Sequence, residues 1–187
     1  MLPVTRPRPS PAVVRRARRI RLLLTDVDGT MTDGLIRLAS WPDGSATEIK
    51  AYNGQDGVAM NLIRSAGIRT GMISGRESPA ARQRARELHM DFVAEGIHEK
   101  LPAWEDILNR AGVSAEETAY MGDDLPDLVL LERAGLAVAV ANAVPEVKKQ
   151  AHYVTRVPGG GGALREVVEL ILRAQGKWDE LYRKARA

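Results

Sequence analysis

The sequence contains no cysteine, one phenylalanine, three tryptophans and four tyrosines. The lack of cysteine excludes disulfide bonds, cysteine-ligated zinc, iron–sulfur clusters and a cysteine nucleophile, so any catalysis must use oxygen and nitrogen groups. No apolar run approaches the ~18 residues that span a bilayer. A secretory signal is not expected either, because the apolar run Ile20–Leu24 is short and leads into acidic residues. We therefore expect no membrane partner.

The chain has 187 residues, of which 44% are hydrophobic, and this suits one compact domain with a core. Its net charge of +3 is unevenly distributed. Residues 1–19 carry six arginines and no acidic residue, which leaves 21 of the 27 basic side chains against all 24 acidic ones. A basic arm can bind nucleic acid or a membrane surface, but this one lacks interleaved aromatic residues. We expect residues 1–18 to be a disordered tail, residues 19–187 to be a single domain, and no nucleic-acid partner.

Short apolar runs alternate with amphipathic segments, several of which end at a glycine suited to a left-handed C-cap. This alternation predicts an α/β fold, a three-layer Rossmann-like parallel sheet with helices on both faces. The predicted strands are Arg21–Asp26, Arg69–Ser74, Asp91–Ala94, Thr118–Met121, Leu136–Val140 and Ala151–Thr155. The predicted helices are Gly54–Ala66, Pro79–His89, Leu101–Ala111, Leu125–Ala134, Pro145–Gln150 and Ala163–Ala174. A mobile loop is predicted over Pro158–Gly162, before the last helix. The C-terminal segment 163–187 consists of that helix and a polar tail that begins at Gln175.

A segment over residues 34–52 interrupts the alternation. Leu35–Tyr52 has the pattern of two strands around the turn sequence Pro-Asp-Gly-Ser at 42–45, which predicts an inserted β-hairpin. So long a hairpin on a small domain either meets another subunit or folds over its own sheet. The pattern leaves both possibilities open.

Two carboxylates end the first predicted strand. Asp26 and Asp28 are at positions i and i+2, so their side chains project to the same side. At the carboxyl edge of a parallel sheet they lie where open α/β folds bind ligands. Two such acids can hold a divalent cation, with one acting as nucleophile and the other as acid and base. The structural alternative is a polar turn at Asp28-Gly29.

A second acidic pair, Asp123 and Asp124, follows another predicted strand. Adjacent acids repel unless a positive group lies nearby, which favours a metal, although Asp124 also suits a helix N-cap. Ser74 lies between a strand and a helix and can offer its hydroxyl to a phosphate oxygen. Lys100 lies just before a helix and can offer its ammonium group to the same oxygens. Each signal is weak alone, and their common position at strand ends strengthens them together.

These motifs occur in the order of the haloacid-dehalogenase-type phosphatases, which the sequence resembles. The strings are "DVDGTMTDG" from residue 26, "ISGR" from 73, Lys100 and "GDDLPDL" from 122. More narrowly, the chain resembles the 3-deoxy-D-manno-octulosonate 8-phosphate (KDO 8-phosphate) phosphatase family. The added marks are a hairpin in place of a cap domain, "NGQDGVAMNLI" from 53, "YVTRVPGGGGALREVVELIL" from 153 and "AQGKWDEL" from 174. The match runs from about Arg19 to Leu181.

The resemblance implies a site. Asp26 would attack phosphorus and form an aspartyl-phosphate, and Asp28 would protonate the leaving sugar oxygen and then activate water. Magnesium would be bound by the carboxylates of Asp26 and Asp123 and by the backbone carbonyl of Asp28. Asp124 would support the metal site. The residues implied to bind phosphate or the rest of the substrate are Ser74, Gly75, Arg76, Lys100, Arg84 and Asp56.

The resemblance also implies a cytoplasmic homotetramer that makes a precursor of lipopolysaccharide. Neighbouring subunits of this branch close the site with a C-terminal tail. Two departures bear on the substrate: Gln55 stands where relatives commonly have a basic residue, and His89-Met90 stands where Gly-Ile is usual. If the missing base binds the sugar carboxylate, the substrate assignment weakens.

Three alternatives remain for comparison. A receiver domain also forms an aspartyl-phosphate, but it opens with adjacent acids, whereas the separated pair comes first here. A phosphatase for a nine-carbon, sialic-acid-type sugar acid 9-phosphate is the closest rival, because of Gln55. A catalytically silent oligomerisation domain is the third, and the complete set of acids from Asp26 to Asp123 argues against it.

Overall fold

The computed structural model describes residues 9–184, and these form a six-stranded sheet and a separate hairpin. The sheet has the order β5-β4-β1-β6-β7-β8, and every neighbouring pair is parallel. The predicted α/β fold is confirmed. The strands of the sheet are β1 (Leu22–Thr25), β4 (Arg69–Ile73), β5 (Phe92–Ala94), β6 (Thr118–Gly122), β7 (Leu136–Ala139) and β8 (Tyr153–Val154).

The central strands are buried along their whole length, as apolar runs between two helix layers must be. In β1, Thr25 lies opposite Met72 of β4 and Met121 of β6. The three strands therefore end at the same level. This register brings the segments that follow them, which begin near Asp26, Ser74 and Asp123, to one edge of the sheet.

Helices cover both faces of the sheet. Because parallel strands are joined by right-handed crossovers, the connections from β1 toward β5 put α2 and α3 on one face, and those back toward β8 put α4, α5 and α6 on the other. Helix α2 packs against α7, which also contacts α1 and α8. The helices are α1 (Pro11–Ala17), α2 (Gly54–Ser65), α3 (Pro79–Glu87), α4 (Lys100–Ala111), α5 (Leu128–Leu131), α6 (Pro145–Gln150), α7 (Ala163–Ala174) and α8 (Trp178–Lys184).

The hairpin is present between β1 and α2. Strand β2 (Arg37–Ser40) pairs antiparallel with β3 (Ala46–Ile49). Five large hydrophobic side chains of this segment are each more than half exposed. They are Leu35, Ile36, Leu38, Trp41 and Ile49. Leu38 pairs with Glu48 and Ile49 pairs with Arg37, so the exposed apolar side chains lie on both faces of the hairpin.

The prediction of a disordered tail over residues 1–18 is wrong where the structure describes that segment; residues 1–8 lie outside the described part. Pro11–Ala17 form α1, with Ser10 as N-cap accepting from the N–H of Val13. Proline at the first helical position and a serine cap stabilise the start of a helix. Val13 and Ala17 are buried against the domain, and this apolar pair was obscured by the surrounding arginines.

The C-terminal prediction also needs correction. The segment described as a polar tail contains α8, in which Trp178 and Leu181 are buried. The Arg173 guanidinium lies 4.5 Å from the centre of a Trp178 ring. An aromatic residue and a leucine three positions apart share one helical face, which explains why a mostly polar segment packs.

Two loops also differ from expectation. The glycine run predicted to be mobile is packed: the N–H of Gly159 donates to Asn142 Oδ1 at 2.7 Å, and a Cβ on Gly159 would overlap the carbonyl oxygen of Gly29. The predicted helix Leu125–Ala134 is shorter, with a 3-10 turn over Leu125–Asp127 before α5. Among the described residues, no helix is long and apolar enough to cross a membrane.

Candidate active site

The first acidic residue lies at the end of β1. Asp26 is buried, and its backbone N–H donates to the carbonyl of Met121 at 2.9 Å, which continues the pairing with β6. The chain then turns tightly, because the carbonyl of Val27 accepts from the N–H groups of both Thr30 and Met31. Gly29 permits this turn with a φ of 90°. Asp26 therefore projects from rigid backbone at the carboxyl edge of the sheet.

Lys100 holds the Asp26 carboxylate. Its ammonium nitrogen lies 2.6 Å from Asp26 Oδ1 and 2.7 Å from Asp127 Oδ1, and its side chain is 4% exposed. A buried ammonium group needs such partners, since unpaired burial of a charge is costly. The two carboxylates raise the pKa of Lys100 against the opposing effect of burial, so the lysine stays charged. Lys100 therefore lies beside the predicted nucleophile.

Asp127 was not predicted as a site residue, although it ends the acidic motif. Its carboxylate accepts from Lys100, from the Tyr120 hydroxyl at 2.7 Å and from the N–H groups of Asp123 and Asp124 at 2.9 and 3.2 Å. Asp127 and Asp124 form a capping box around the 3-10 turn, and the spacing of these two acids in the sequence could have predicted it. Asp127 thus orients both Lys100 and the backbone of the acidic pair.

Asp123 comes from the end of β6 and faces Asp26. The Thr30 hydroxyl donates to Asp123 Oδ1 at 2.9 Å, which ties the β1 loop to the β6 loop. Asp26, Asp123 and Asp127 each offer an oxygen such that the three lie within 4.8 Å of one another. A Cβ on Gly29 would overlap Asp123 Oδ2, so only glycine fits beside this carboxylate.

The electrostatics of this cluster favour a cation. Burial raises the pKa of Asp26 to about 7 even though Lys100 opposes the shift, and burial with the charges of Asp127 and Asp124 raises the pKa of Asp123 to about 6. A divalent ion between Asp26 and Asp123 would offset this cost, and carboxylate oxygens are the ligands that Mg²⁺ prefers. The donor set therefore fits Mg²⁺, with Asp127 already occupied by its own hydrogen bonds.

Asp28 lies in a second group of charges. Its Oδ1 pairs with the ammonium group of Lys50, and its Oδ2 lies 3.8 Å from Arg76 Nη1. Arg76 also donates to Glu48 at 2.8 Å. Lys50 and Glu48 were not predicted as site residues. They are two positions apart, and the alternation of a strand puts them on the side of the hairpin opposite the exposed Ile49.

Ser74 is buried at the end of β4, with its hydroxyl accepting from the N–H of Arg76 at 3.3 Å and donating to the carbonyl of Arg76 at 3.2 Å. Gly75 lies between them. Asp124 is exposed, and its side chain accepts from the N–H of Leu125 at 2.8 Å. This is the N-cap role that the sequence also predicted for Asp124, as an alternative to a role at a metal. Its role at a metal stays a prediction.

Two other predicted residues lie away from the aspartate cluster. Asp56, in the first turn of α2, is buried and accepts from the N–H of Arg165 at 2.8 Å, so it caps the start of α7. Arg84 of α3 lies 5.7 Å from the Tyr52 ring centre. Gln55 is exposed on a groove of about 670 Å³ that includes Arg165 in its lining and lies outside the aspartate cluster.

The sheet and its edge of aspartates define a class of protein, the haloacid dehalogenase-like hydrolases. A family model of that description matches residues 83–165. The sequence is 41% identical to the 3-deoxy-D-manno-octulosonate 8-phosphate phosphatase KdsC of Escherichia coli over 168 residues, 90% of this chain and 87% of that protein. The chain therefore belongs to the KDO 8-phosphate phosphatase family, and the resemblance of its motifs is confirmed.

Solved structures agree with this assignment. The 3-deoxy-D-manno-octulosonate 8-phosphate phosphatase from Yersinia pestis is similar with a TM-score of 0.85 and 41% identity, over 90% of this chain and 89% of that one. The phosphatase of the same name from Moraxella catarrhalis, solved with a magnesium ion, a phosphate ion and a KDO molecule, gives a TM-score of 0.86 at 35% identity. That comparison covers 92% of this chain and 97% of the other.

Proposed function

We propose that this protein is a magnesium-dependent phosphatase that hydrolyses 3-deoxy-D-manno-octulosonate 8-phosphate to the free sugar acid and phosphate. The observation that carries the proposal is the clamping of Asp26 by Lys100 at the sheet edge that also carries Asp123. Family membership supports the same substrate, since the relatives are named for it.

The reaction proceeds in two steps. In the first, a carboxylate oxygen of Asp26 attacks phosphorus, the bond from phosphorus to the sugar oxygen breaks, and Asp28 gives its proton to that oxygen. In the second, Asp28 takes a proton from water, whose oxygen attacks phosphorus and releases phosphate and the Asp26 carboxylate. Lys100 orients Asp26 and neutralises charge on the phosphoryl oxygens.

The Mg²⁺ would be held by the carboxylates of Asp26 and Asp123 and by the backbone carbonyl of Asp28, with Asp124 in support. When bound, the ion neutralises charge on the transferring phosphoryl group. Ser74, Gly75 and Arg76 contact the phosphoryl oxygens from the end of β4. This role fits the buried Ser74 hydroxyl, whose partners in the chain are backbone groups of Arg76.

Recognition of the sugar acid involves Arg84, which lies beside Tyr52 at the end of the hairpin segment. Asp56 acts in it indirectly, because its buried carboxylate holds the start of α7. Gln55 supports an alternative substrate, a nine-carbon, sialic-acid-type sugar acid 9-phosphate. The observation that favours it is the neutral Gln55 on the groove beside Arg165, where relatives commonly have a base. Hydrolysis of each sugar acid phosphate by Gln55→Arg and by the unaltered protein tests this. If Gln55 sets the preference, the variant shifts toward the eight-carbon acid.

The nucleophile is tested by Asp26→Asn with Asp106→Asn as a matched control, because Asp106 is an exposed acid paired with Arg110. We expect Asp26→Asn to lose magnesium-dependent phosphate release, and Asp106→Asn to keep it within about twofold. Full activity in Asp26→Asn would refute the assignment of the nucleophile. Lack of release by the unaltered protein from any sugar phosphate would favour a silent oligomerisation domain.

We also propose a cytoplasmic homotetramer, as the family resemblance implies. The five exposed apolar side chains of the hairpin segment support contact with another copy of the chain, since exposed apolar surface of this extent marks interaction sites. Light scattering of the unaltered protein and of Ile49→Glu tests this, because Ile49 is exposed on the face of the hairpin opposite Glu48. We expect a tetramer that the charge on the hairpin dissociates, and a monomer in both samples would contradict the proposal.

A further inference from the structure

The hairpin inserts a buried lysine beside Asp28. Lys50 follows β3 directly, its side chain is 4% exposed, and its ammonium group contacts Asp28 Oδ1 and lies 3.4 Å from Glu48 Oε1. Desolvating an ammonium group is costly unless carboxylates compensate it. Lys50 is therefore fixed between two carboxylates, one from the β1 loop and one from the hairpin itself.

The other partner, Glu48, anchors the hairpin to the body of the domain. Its Oε2 accepts from the Ser78 hydroxyl at 2.6 Å, and its Oε1 accepts from Arg76 at 2.8 Å. Ser78 is the N-cap of α3 and is buried. The position of Lys50 is thus set by a chain of contacts that runs to a regular element, as a group that orients a catalytic side chain requires.

The two oxygens of Asp28 differ in their surroundings. Oδ1 is held by Lys50, whereas Oδ2 is 3.8 Å from the nearest Arg76 nitrogen, which is beyond hydrogen-bond distance. A general acid needs one oxygen held in place and the other available to carry the proton. The side chain of Asp28 is 28% exposed, so packing holds it only in part, and its ion pair with Lys50 determines its orientation.

We propose that Lys50 is a positioning residue for proton transfer: by holding Asp28 Oδ1 it directs Oδ2 toward the oxygen that leaves phosphorus. This inference rests on the proposed function and extends it to a residue of the hairpin. The hairpin is then part of the active site of its own subunit, whatever its exposed apolar side chains contact.

A leaving-group series separates this role from others. Departure of 4-nitrophenolate needs little help from an acid, whereas phenolate, with a conjugate-acid pKa of about 10, and a sugar alkoxide need a proton. The value of kcat/KM reports the steps up to cleavage of the bond from phosphorus to the leaving oxygen. We would measure it with Mg²⁺ for 4-nitrophenyl phosphate, phenyl phosphate and the sugar acid phosphate, in Lys50→Met, Lys50→Gln and Lys50→Arg.

The expected loss of kcat/KM depends on how much the leaving group needs a proton. For Lys50→Met and Lys50→Gln, kcat/KM falls by about 10²-fold with the sugar phosphate, which is the lower range for loss of a general acid. It falls by an intermediate factor with phenyl phosphate and by less than about threefold with 4-nitrophenyl phosphate. Lys50→Arg restores part of the loss, because it keeps a cation near Asp28. Arg37→Met, which removes an exposed cation from the same hairpin, leaves all three values unchanged.

Every other pattern overturns the proposal. An equal loss with all three substrates means that Lys50 binds the phosphoryl group or only supports the fold. A loss confined to the sugar phosphate, with the two aryl phosphates in their original ratio, means that Lys50 contacts the sugar. No loss with any substrate removes its role. Absence of magnesium-dependent release by the unaltered protein is a different failure, which refutes the proposed function as well.

Discussion

The substitution Gly29→Ala tests whether the β1 loop fits around Asp123. Gly29 has a φ of 90°, and an added Cβ would overlap Asp123 Oδ2 and lie 2.6 Å from its Cγ. Non-bonded carbon atoms approach to about 3.5–4.0 Å. The Asp123 carboxylate, and the Thr30 hydroxyl that holds it, must therefore move by about 1 Å.

A matched control separates this displacement from backbone strain. Gly67, at the end of α2, has a similar φ of 77°, and a Cβ there would meet nothing within 4 Å. A non-glycine residue in the left-handed region costs about 1–2 kcal/mol. For a domain of this size each kcal/mol lowers Tm by about 2–4 °C. Gly67→Ala and Gly29→Ala should both show that loss of thermal stability.

The two variants should differ in activity. Misplacing a catalytic group by about 1 Å can cost about 10²-fold in rate. We expect Gly29→Ala to lose at least that factor in magnesium-dependent phosphate release and to need more Mg²⁺ for half-maximal rate, with Gly67→Ala unchanged in both. Activity of Gly29→Ala within about threefold of the unaltered protein would refute the account of this loop.

Three further predictions concern the cluster and the added helix. Without metal, burial raises the pKa of Asp26 to about 7 and of Asp123 to about 6, so their contribution to stability is present below pH 4 and is lost as pH rises through 6 and 7. Mg²⁺ should therefore raise Tm more at pH 8 than at pH 5. An equal rise in Tm at both pH values would contradict this. The prediction would also fail if the double variant Asp26→Asn/Asp123→Asn showed the same pH dependence of the Mg²⁺-induced rise. Asp127→Asn should lower the free energy of unfolding measured in urea by about 1.5–3 kcal/mol, the range for loss of a hydrogen bond to a charged group, because Lys100 keeps Asp26 as its one carboxylate partner. The same variant should lose most phosphate release, and unaltered stability would show that the contact between Lys100 and Asp127 is not formed. Val13→Ser should lower the free energy of unfolding by about 1–3 kcal/mol, since Val13 is buried, and no change would mean that α1 does not pack in solution.

Much of the fold and part of the cluster follow from local sequence patterns. Buried strands are continuous apolar runs, and parallel strands end at one edge, so the convergence of Asp26, Ser74 and Asp123 could be predicted. The boundaries of most predicted elements agree with the observed ones to within one or two residues at each end. Their agreement reflects strong end signals such as glycine and proline.

The residues that were missed depend on long-range contacts. Lys50 is separated from Asp28 by 22 positions, and nothing in the hairpin pattern says which of its faces turns inward. Asp127 reads equally well as a helix cap, and its contact with Lys100 appears only when α4 and the β6 loop meet. In α1, the arginines concealed two apolar positions whose burial depends on α7.

The most direct test of the central claim is phosphate release, with Mg²⁺ and with a chelator, from 3-deoxy-D-manno-octulosonate 8-phosphate, a nine-carbon sugar acid 9-phosphate and simple sugar phosphates. The account predicts release that needs Mg²⁺ and a strong preference in kcat/KM for the eight-carbon acid. Preference for the nine-carbon acid would contradict the substrate assignment and leave the chemistry of Asp26 in place. Equal release with and without metal would contradict the site itself.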